Sequence, residues 1–282
     1  MSELPVPPPL VEPEVVERCV EILGRAPAGL VTDIDGTISA IAPTPNEAVV
    51  EEEARQALRW LADRLALVAV ISGRAVTAGA AMVDVPAITY VGNHGMERSR
   101  RGVRWTHPGA AAGTGAIAAA LDEVQAKARA TGYDDGLIVE NKGLSGTVHY
   151  RLAADPDAAR AALLPLAMAA AGRRGLVVTE GRLIVELRPN IVVNKGTVII
   201  DLVTEHRLRG VVFLGDDLTD VDGFVALRAL RERGEVATLR VGVLGAETHP
   251  RVLEEIDVSV HGVPACAALL AAVADRVGAG SG

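Results

Sequence analysis

Short apolar runs that alternate with helical segments constrain this chain more than any other feature. The runs "LALVAVIS" (65–72), "AITYVGN" (87–93), "GVVFLGDD" (210–217) and "VATLRVGVL" (236–244) are mainly apolar along their length and do not alternate with polar residues. Such runs are typical of strands covered on both faces, and strands that alternate with helices form right-handed crossovers in a parallel sheet. The sequence therefore predicts an α/β fold with a doubly wound parallel sheet.

The pattern changes between residues 109 and 187. A helical, Ala-rich segment precedes two strand-like runs, "DGLIVENKG" and "LSGTVHYRL", and a second helix (155–172) then precedes a hairpin over 175–187. One helix and two antiparallel strands, repeated once, predict an α+β unit with an open sheet. We expect 109–187 to be a domain inserted into a core formed by 14–108 and 188–282. Residues 1–13 hold five prolines and are expected to be a flexible tail.

Composition excludes several classes of protein. A net charge of -8 repels a phosphate backbone, and an aromatic content of 2% leaves few rings for base stacking, so no nucleic-acid partner is expected. No apolar run approaches the roughly 18 to 20 residues that span a bilayer, so no membrane segment is expected. Cys19 and Cys266 lack metal-ligand spacing and are predicted to be buried thiols. These features predict a cytoplasmic protein.

An acid pair follows the first apolar run, in "LVTDIDGTIS" (30–39). Ligands of an open α/β sheet bind beyond the carboxyl ends of its strands, which is where Asp33 and Asp35 fall. Residues two apart on an extended chain point to the same side, so these carboxylates would converge and require a cation or a proton. A hard metal, with one carboxylate as nucleophile and the other as acid/base, accounts for the pair. A capped turn is the alternative.

Two other strand ends carry single polar residues. Ser72 in "AVISGR" could hold a phosphoryl oxygen, or it could be a helix N-cap. Lys195 in "VVNKGT" could neutralise a phosphate and an attacking carboxylate, or it could be a surface lysine.

A second group of acids follows "VVFL": Asp216 and Asp217, with Asp220 and Asp222 soon after. Carboxylates so close together repel one another unless a cation lies between them. Mg2+ is typically held by one or two carboxylates. The alternative for Asp220 and Asp222 is a negatively charged helix N-terminus, which the helix dipole favours.

Taken in chain order, the acid pair, the serine, the lysine and the second acid pair resemble the four motifs of the haloacid dehalogenase (HAD) superfamily of phosphatases. The resemblance implies a Rossmann-like core, and the segment between Ser72 and Lys195 resembles the large caps of type C2 in that superfamily. It implies Mg2+ as cofactor, attack by Asp33 on phosphorus to give an aspartyl-phosphate, and acid/base work by Asp35. The catalytic residues that it implies are Asp33, Asp35, Ser72 and Lys195. The metal ligands that it implies are Asp33, Asp35 and Asp216. It also implies that Asp217 and Asp220 lie next to these ligands without binding the metal directly.

Three longer segments resemble the trehalose-6-phosphate phosphatase family. They are "VGNHGMER" (91–98), "VENKGLSGTVHYR" (139–151) and "IVELRPNIVVNKGT" (184–197), and the resemblance runs from about residue 28 to 270. It implies a phosphosugar substrate, whose many hydroxyl groups suit carboxylates and an ammonium group. The substrate-binding residues that it implies are Thr37, Gly73, Arg74, Asn93, His94, Glu140, Lys142 and Glu186.

One position departs from the family, because Val221 stands where the family favours glutamate. A role for this position in supporting the metal ligands is therefore in doubt. Two alternative functions stay open. The first is a phosphatase for another sugar phosphate, such as sucrose 6-phosphate or mannosyl-3-phosphoglycerate, and the second is a catalytically silent sugar-binding homologue. We expect a monomer.

Overall fold

The structure is a computed structural model that describes residues 11–279. The tail predicted over 1–13 falls mainly on residues 1–10, which lie outside this range, and the first helix begins at Pro13. The helices in the described range are α1 (Pro13–Leu23), α2 (Glu52–Ala62), α3 (Val76–Val83), α4 (Pro108–Ala111), α5 (Thr114–Ala130), α6 (Pro156–Gly172), α7 (Lys195–His206), α8 (Leu218–Glu232), α9 (Pro250–Glu255) and α10 (Gly262–Ala279).

The strands form two sheets. In chain order they are β1 (Ala28–Thr32), β2 (Leu67–Ile71), β3 (Thr89–Gly92), β4 (Glu97–Arg100), β5 (Val103–Thr106), β6 (Ile138–Asn141), β7 (Gly146–His149), β8 (Leu176–Gly181), β9 (Ile184–Pro189), β10 (Gly210–Gly215), β11 (Ala237–Leu244) and β12 (Val258–His261). Short 3-10 turns lie at Pro45–Glu47 and Asn93–Gly95.

The chain divides into two compact units. The first holds the described residues up to Ser72, Val76–Arg104 and those from Val193 onward. The second holds Trp105–Val192 and also Gly73–Ala75. The limits of the second unit thus differ by four or five residues from the predicted limits of 109 and 187.

The first unit contains an eight-stranded sheet in the order β12-β11-β10-β1-β2-β3-β4-β5, apart from Trp105 and Thr106 at the end of β5, which are assigned to the second unit. Strands from β12 to β3 run parallel, and β4 is antiparallel to β3. Neighbouring residues of a strand pack on opposite faces: Leu30 joins a cluster with α1, α2 and α10, whereas Val31 joins one with α7 and α8. A mostly parallel sheet with helices on both faces confirms the predicted doubly wound α/β fold.

Helix α2 is shorter than the helix that the periodicity of "NEAVVEEEARQALRWLADR" (46–64) predicts. Its buried residues, Ala54, Ala57, Leu58 and Leu61, have the spacing of one helical face. The segment before it was predicted as part of the same helix, but it forms the 3-10 turn, and Val50 then pairs with Ser39 in an isolated bridge. The β-branched pair Val49–Val50 favours this extended backbone.

The second unit is an antiparallel sheet in the order β6-β7-β9-β8, with α5 and α6 packed on one face. Leu121 and Leu163 of these helices contact the cluster that contains Val148 and Val185. The repeat of one helix and two strands is present as predicted. The Ala-rich segment is divided, however, into α4 and α5 around Gly113.

Two further expectations concern the chain as a whole. Within residues 11–279, every helix is too short or too polar to cross a lipid bilayer. Cys19 and Cys266 are both buried free thiols, as predicted.

Candidate active site

Three of the predicted site residues follow neighbouring strands. Thr32, the last residue of β1, pairs with Leu214 of β10 on one side and with Val70 of β2 on the other. Asp33 directly follows Thr32, whereas Asp216 and Ser72 lie two residues beyond Leu214 and Val70. All three therefore lie at the carboxyl edge of the sheet, where ligands of this fold class bind.

The chain turns immediately after Asp33. The carbonyl oxygen of Ile34 accepts backbone hydrogen bonds from Thr37 at 3.2 Å and Ser39 at 2.9 Å. The extended backbone thus ends in a turn, and the charge of Asp35 still acts on Asp33 across it. The turn arises because β1 ends at Thr32 and Gly36 adopts a φ of +89°.

The same glycine makes room for an acid. A Cβ atom on Gly36 would overlap the carboxylate of Asp216, so only glycine allows that carboxylate to approach the turn. Thr37, whose side chain is buried, donates a hydrogen bond from Oγ1 to Oδ1 of Asp216 at 2.9 Å. Thr37, predicted to bind substrate, is thus observed in contact with an acid of the candidate metal site.

Lys195 is the first residue of α7 and is 2% exposed. Its Nζ lies 3.0 Å from Oδ1 of Asp33 and 2.6 Å from Oδ1 of Asp220. Asn194 caps the helix by accepting a hydrogen bond from the backbone N–H of Thr197 at 2.9 Å. The alternative of a surface lysine is wrong, because this ammonium is buried between two carboxylates.

Asp220 uses both of its carboxylate oxygens. Oδ1 accepts from Lys195, and Oδ2 accepts from the backbone N–H groups of Asp216 at 3.1 Å and Asp217 at 3.0 Å. Asp217 is the N-cap of α8 and accepts from the backbone N–H of Leu218 at 2.6 Å. The alternative of an acidic helix N-terminus thus accounts for the bonds that Asp220 accepts from backbone N–H groups. It does not account for the contact with Lys195.

The departure at Val221 has a structural counterpart. Val221 is buried on α8 in the apolar cluster that contains Phe213 and Phe224. Asp222, the next residue, is exposed. Neither residue belongs to the group of carboxylates around Lys195.

Burial and repulsion between neighbouring carboxylates raise the pKa values of two acids in this group. Burial raises the pKa of Asp33 to about 7, the charge of Lys195 opposes the shift, and the charges of Asp220 and Asp35 add to it. Burial also raises the pKa of Asp216 to about 9, reinforced by Asp220 and Asp33. Burial alone would lower the pKa of Lys195, but the charges of Asp220 and Asp33 raise it overall. The pKa values of Asp33 and Asp216 therefore rise mainly because the two carboxylates are buried, and one ammonium does not offset this effect.

This donor set fits a hard divalent cation. Among the described residues, one carboxylate oxygen from each of Asp33, Asp216 and Asp220 lies within 4.8 Å of the others, and Asp35 is not in the group. Mg2+ prefers carboxylate oxygens and is usually held by one or two of them. Because both oxygens of Asp220 are engaged, Asp33 and Asp216 are the acids best placed to bind it.

The second unit carries the predicted sugar-binding residues on one face of its sheet. Glu140 and Glu186 both lie opposite Thr147 in the strand register, so the three share the face away from α5 and α6. Oε1 of Glu186 accepts from Lys142 at 3.4 Å and from Ser145 at 3.0 Å. The three predicted residues thus belong to one polar face.

Two more polar contacts extend this face. His149 Nε2 lies 3.0 Å from Oε2 of Glu140, and although burial opposes it, this hydrogen bond together with the charge of Lys142 lowers the pKa of Glu140. Lys142 also donates to the backbone oxygen of Gly73, at 3.1 Å, and the charge of Arg74 acts on Glu140. Ser145 was not predicted from the sequence.

The loops after β2 and β3 contain the remaining predicted residues. Ser72 is buried and lies four residues before Val76, the first residue of α3, so the N-cap alternative is wrong. Asn93 and His94 both have positive φ, 48° and 56°, which is costly for non-glycine residues. The backbone N–H of His94 donates to the backbone oxygen of Ser72 at 3.0 Å, which joins the two loops.

Comparison with known proteins identifies the family. Residues 31–248 match the family described as trehalose-phosphatase, and this range includes every residue of the site above. The chain belongs to the trehalose-phosphatase family. Its members among curated proteins include the trehalose-phosphate phosphatase of Mycobacterium avium, which is 38% identical over 215 residues. That alignment covers 73% of this chain and 53% of the relative, so the chain spans about half the length of the trehalose-phosphate phosphatases that it matches.

Solved structures share the fold of this trehalose-phosphatase family member. The C-terminal domain of Candida albicans trehalose-6-phosphate phosphatase has a TM-score of 0.74 at 21% identity, covering 95% of this chain and 98% of that structure. A haloacid dehalogenase-like hydrolase from Bacteroides thetaiotaomicron has a TM-score of 0.59 at 13% identity, covering 89% and 98%. The predicted Rossmann-like fold is therefore shared with a haloacid dehalogenase-like hydrolase.

Proposed function

We propose that this chain is a Mg2+-dependent phosphatase that hydrolyses trehalose 6-phosphate to trehalose and phosphate. The observation that carries the proposal is the buried contact between Lys195 and Asp33, which lies beside Asp216 at the carboxyl edge of the sheet. The family to which the chain belongs, and the phosphatases that it resembles, support the same reaction class.

The first step transfers the phosphoryl group to the protein. An Oδ atom of Asp33 forms a bond to phosphorus while the bond from phosphorus to the sugar oxygen breaks, and Asp35 gives that oxygen a proton. Lys195 supports this step because its ammonium favours the ionised form of Asp33 and offsets negative charge nearby. Ser72 holds a phosphoryl oxygen.

The second step releases phosphate. Asp35, now ionised, takes a proton from water, the water oxygen bonds to phosphorus, and the bond to Asp33 breaks. Asp33 and Asp216 would hold Mg2+, and the chemistry that Mg2+ supplies when bound is partial neutralisation of the phosphoryl oxygens. Both acids have a raised pKa, so a nearby cation favours the ionised forms that the reaction needs.

The second unit supplies sugar recognition in this proposal. Glu140, Lys142 and Glu186 combine acceptors and donors on one polar face, which suits the hydroxyl groups of a disaccharide. The other predicted contributors are Gly73, Arg74, Asn93 and His94. A cytoplasmic location and a monomeric state stay predictions of the sequence.

A panel of phosphate esters tests the proposal. Phosphate release is measured with and without Mg2+ for trehalose 6-phosphate, sucrose 6-phosphate, mannosyl-3-phosphoglycerate and p-nitrophenyl phosphate. We expect the highest kcat/KM with trehalose 6-phosphate, loss of turnover in EDTA, and loss of turnover in Asp33→Asn. A preference for another sugar ester would overturn the substrate, whereas wild-type turnover by Asp33→Asn would overturn the nucleophile.

A further inference from the structure

One carboxylate oxygen joins the two loops that follow β2 and β3. Glu97, the first residue of β4, accepts two hydrogen bonds at Oε1. One comes from the backbone N–H of Val76, the first residue of α3, at 2.9 Å, and the other comes from Nδ2 of Asn93 at 2.6 Å. The Asn93 side chain is fully buried at this contact.

The turn that Glu97 contacts is strained. Asn93, His94 and Gly95 have three consecutive positive φ values, 48°, 56° and 116°. Residues in this region persist only where their surroundings hold them, and such positions concentrate at functional sites. The contact from Asn93 to Glu97 is one of the bonds that hold this turn.

The turn also packs against the helix that begins with Lys195. A Cβ atom on Gly95 would lie 2.5 Å from Val198 Cγ2 and 2.6 Å from Val193 Cγ1, so only glycine permits this packing. Val193 and Val198 flank the start of α7. A shift of the turn would therefore displace the residues around Lys195 as well.

The loop that begins at Ser72 is held at both ends. At Ser72, the backbone N–H donates to Val91 and the backbone oxygen accepts from His94, both at 3.0 Å. At the other end, the N–H of Val76 donates to Glu97. Glu97 thus holds the Val76 end of the loop directly, and it holds the Ser72 end through the strained turn at Asn93–Gly95.

We propose that Glu97 is a positioning residue for the phosphoryl site. Its Oε1 holds the start of α3 and the Asn93–Gly95 turn together, and this sets the position of Ser72. The inference rests on the proposed function, which gives Ser72 the role of holding a phosphoryl oxygen. A carboxylate suits the position, because a negative charge is favourable beside the first N–H of a helix.

Three substitutions of Glu97 distinguish the effect of its side-chain length from the effect of its negative charge. Because both bonds end on one oxygen, the carbonyl oxygen of Glu97→Gln can accept both without a charge. Glu97→Asp keeps the charge but is one methylene shorter, and Glu97→Ala removes the acceptor. The probe is inorganic phosphate, titrated calorimetrically into each variant with Mg2+ present, together with kcat/KM for trehalose 6-phosphate.

We expect Glu97→Gln to bind phosphate within about 3-fold of wild type, and the Asp and Ala variants to bind at least about tenfold more weakly. Glu205→Ala, which changes an exposed carboxylate on α7, is the control. Thermal unfolding accompanies each titration, because a merely structural role would lower the unfolding midpoint without changing phosphate affinity. If Glu97→Ala does not fold, the comparison of Asp with Gln decides.

Wild-type phosphate affinity in Glu97→Asp would overturn the proposal. Equal loss in the Gln and Asp variants would also overturn it, since charge as well as reach would then be required. Failure of the wild type to bind phosphate would overturn it together with the role of Ser72. Wild-type binding without hydrolysis of trehalose 6-phosphate would instead refute only the proposed function.

Discussion

Nζ of Lys195 lies 3.0 Å from Oδ1 of Asp33, and neither side chain is more than 8% exposed. Such a pair is stable only when its charges are matched and its remaining donors are satisfied. Asp220 supplies the second partner of Lys195 at 2.6 Å. The three residues therefore depend on one another for both stability and charge state.

Replacing the lysine should destabilise the protein. Lys195→Met leaves Asp33 and Asp220 buried without their cation, so we expect a loss of about 3 kcal/mol or more in the free energy of unfolding, and no turnover. Urea denaturation at neutral pH measures the change. Arg233→Met, which breaks an exposed pair with Glu235, is the control and should leave the free energy of unfolding nearly unchanged. Equal losses in the two variants would contradict this account.

Mg2+ should stabilise the folded protein through Asp216. At a Mg2+ concentration about 100 times its dissociation constant, the expected gain is about 2.7 kcal/mol. Asp216→Asn should lose most of this gain but keep the stability of the metal-free protein, because asparagine can still accept the hydrogen bond from Thr37. Thermal unfolding of EDTA-treated protein, with and without added Mg2+, provides the measurement. An undiminished gain in the variant would rule out Asp216 as a ligand.

Asp220 should act on Lys195 more than on the metal. Asp220→Asn places an amide nitrogen against either Lys195 or two backbone N–H groups, so we expect turnover to fall by about 10- to 100-fold. The stabilisation by Mg2+ should largely remain. If Asp220→Asn abolished that stabilisation as fully as Asp216→Asn, Asp220 would be a metal ligand instead.

A buried ion pair outside the candidate active site, between Asp257 and Arg240, should contribute to stability in acid. Burial alone would raise the pKa of Asp257, but hydrogen bonds from Arg240 and Arg231 lower it from 3.8 to about 2. A depressed carboxyl pKa stabilises the fold above the unfolded value, and the stabilisation is lost as pH falls from about 4 to about 2. We expect this loss to be about 2 kcal/mol.

Urea unfolding between pH 5 and pH 2.5 measures this effect. Asp257→Asn should be less stable than wild type at pH 5 and should change less with pH. Glu254→Gln, at an exposed position on the neighbouring helix α9, is the control. Parallel pH profiles for wild type and Asp257→Asn would exclude the role of Asp257.

Glu186 should affect sugar esters selectively. Glu186→Ala removes the acceptor of Lys142 and Ser145, so we expect KM for trehalose 6-phosphate to rise at least about tenfold. Kinetics with p-nitrophenyl phosphate, which has no sugar, should be nearly unchanged. An equal effect on both substrates would show that Glu186 supports the fold and not sugar recognition.

The central strands were predictable from the sequence because they are buried on both faces. β2, β3, β10 and β11 fall within the four apolar runs from which the sheet was predicted, and β1 overlaps the apolar start of "LVTDIDGTIS". β4 and β5 were missed, because "ERSRRGVRWT" is charged and partly or fully exposed, so it has no apolar pattern. β5 is the edge strand of the sheet and β4 lies next to it, and charged strands in such positions are recognisable mainly through their pairing.

The predicted site residues vary in how well sequence reasoning located them. Asp33, Lys195 and Asp216 could be placed together because each follows a predicted strand or begins a predicted helix, and because their order along the chain resembles the motifs of a known superfamily. The turn at Ile34 could not be derived from the spacing of two acids. Glu97 was missed because its partner Asn93 adopts positive φ, which the sequence signals only weakly.

The insertion has a consequence for how the chain folds during synthesis. Trp105–Val192 is almost the whole of the second unit and is contiguous, so its helices and strands can pair as soon as they are made. In the first unit, Val31 of β1 pairs with Phe213 of β10, about 180 residues later. Long-range pairing is slow because distant segments must first meet. On a ribosome, the inserted unit is therefore ready to assemble before the strands that carry the candidate active site have all been translated.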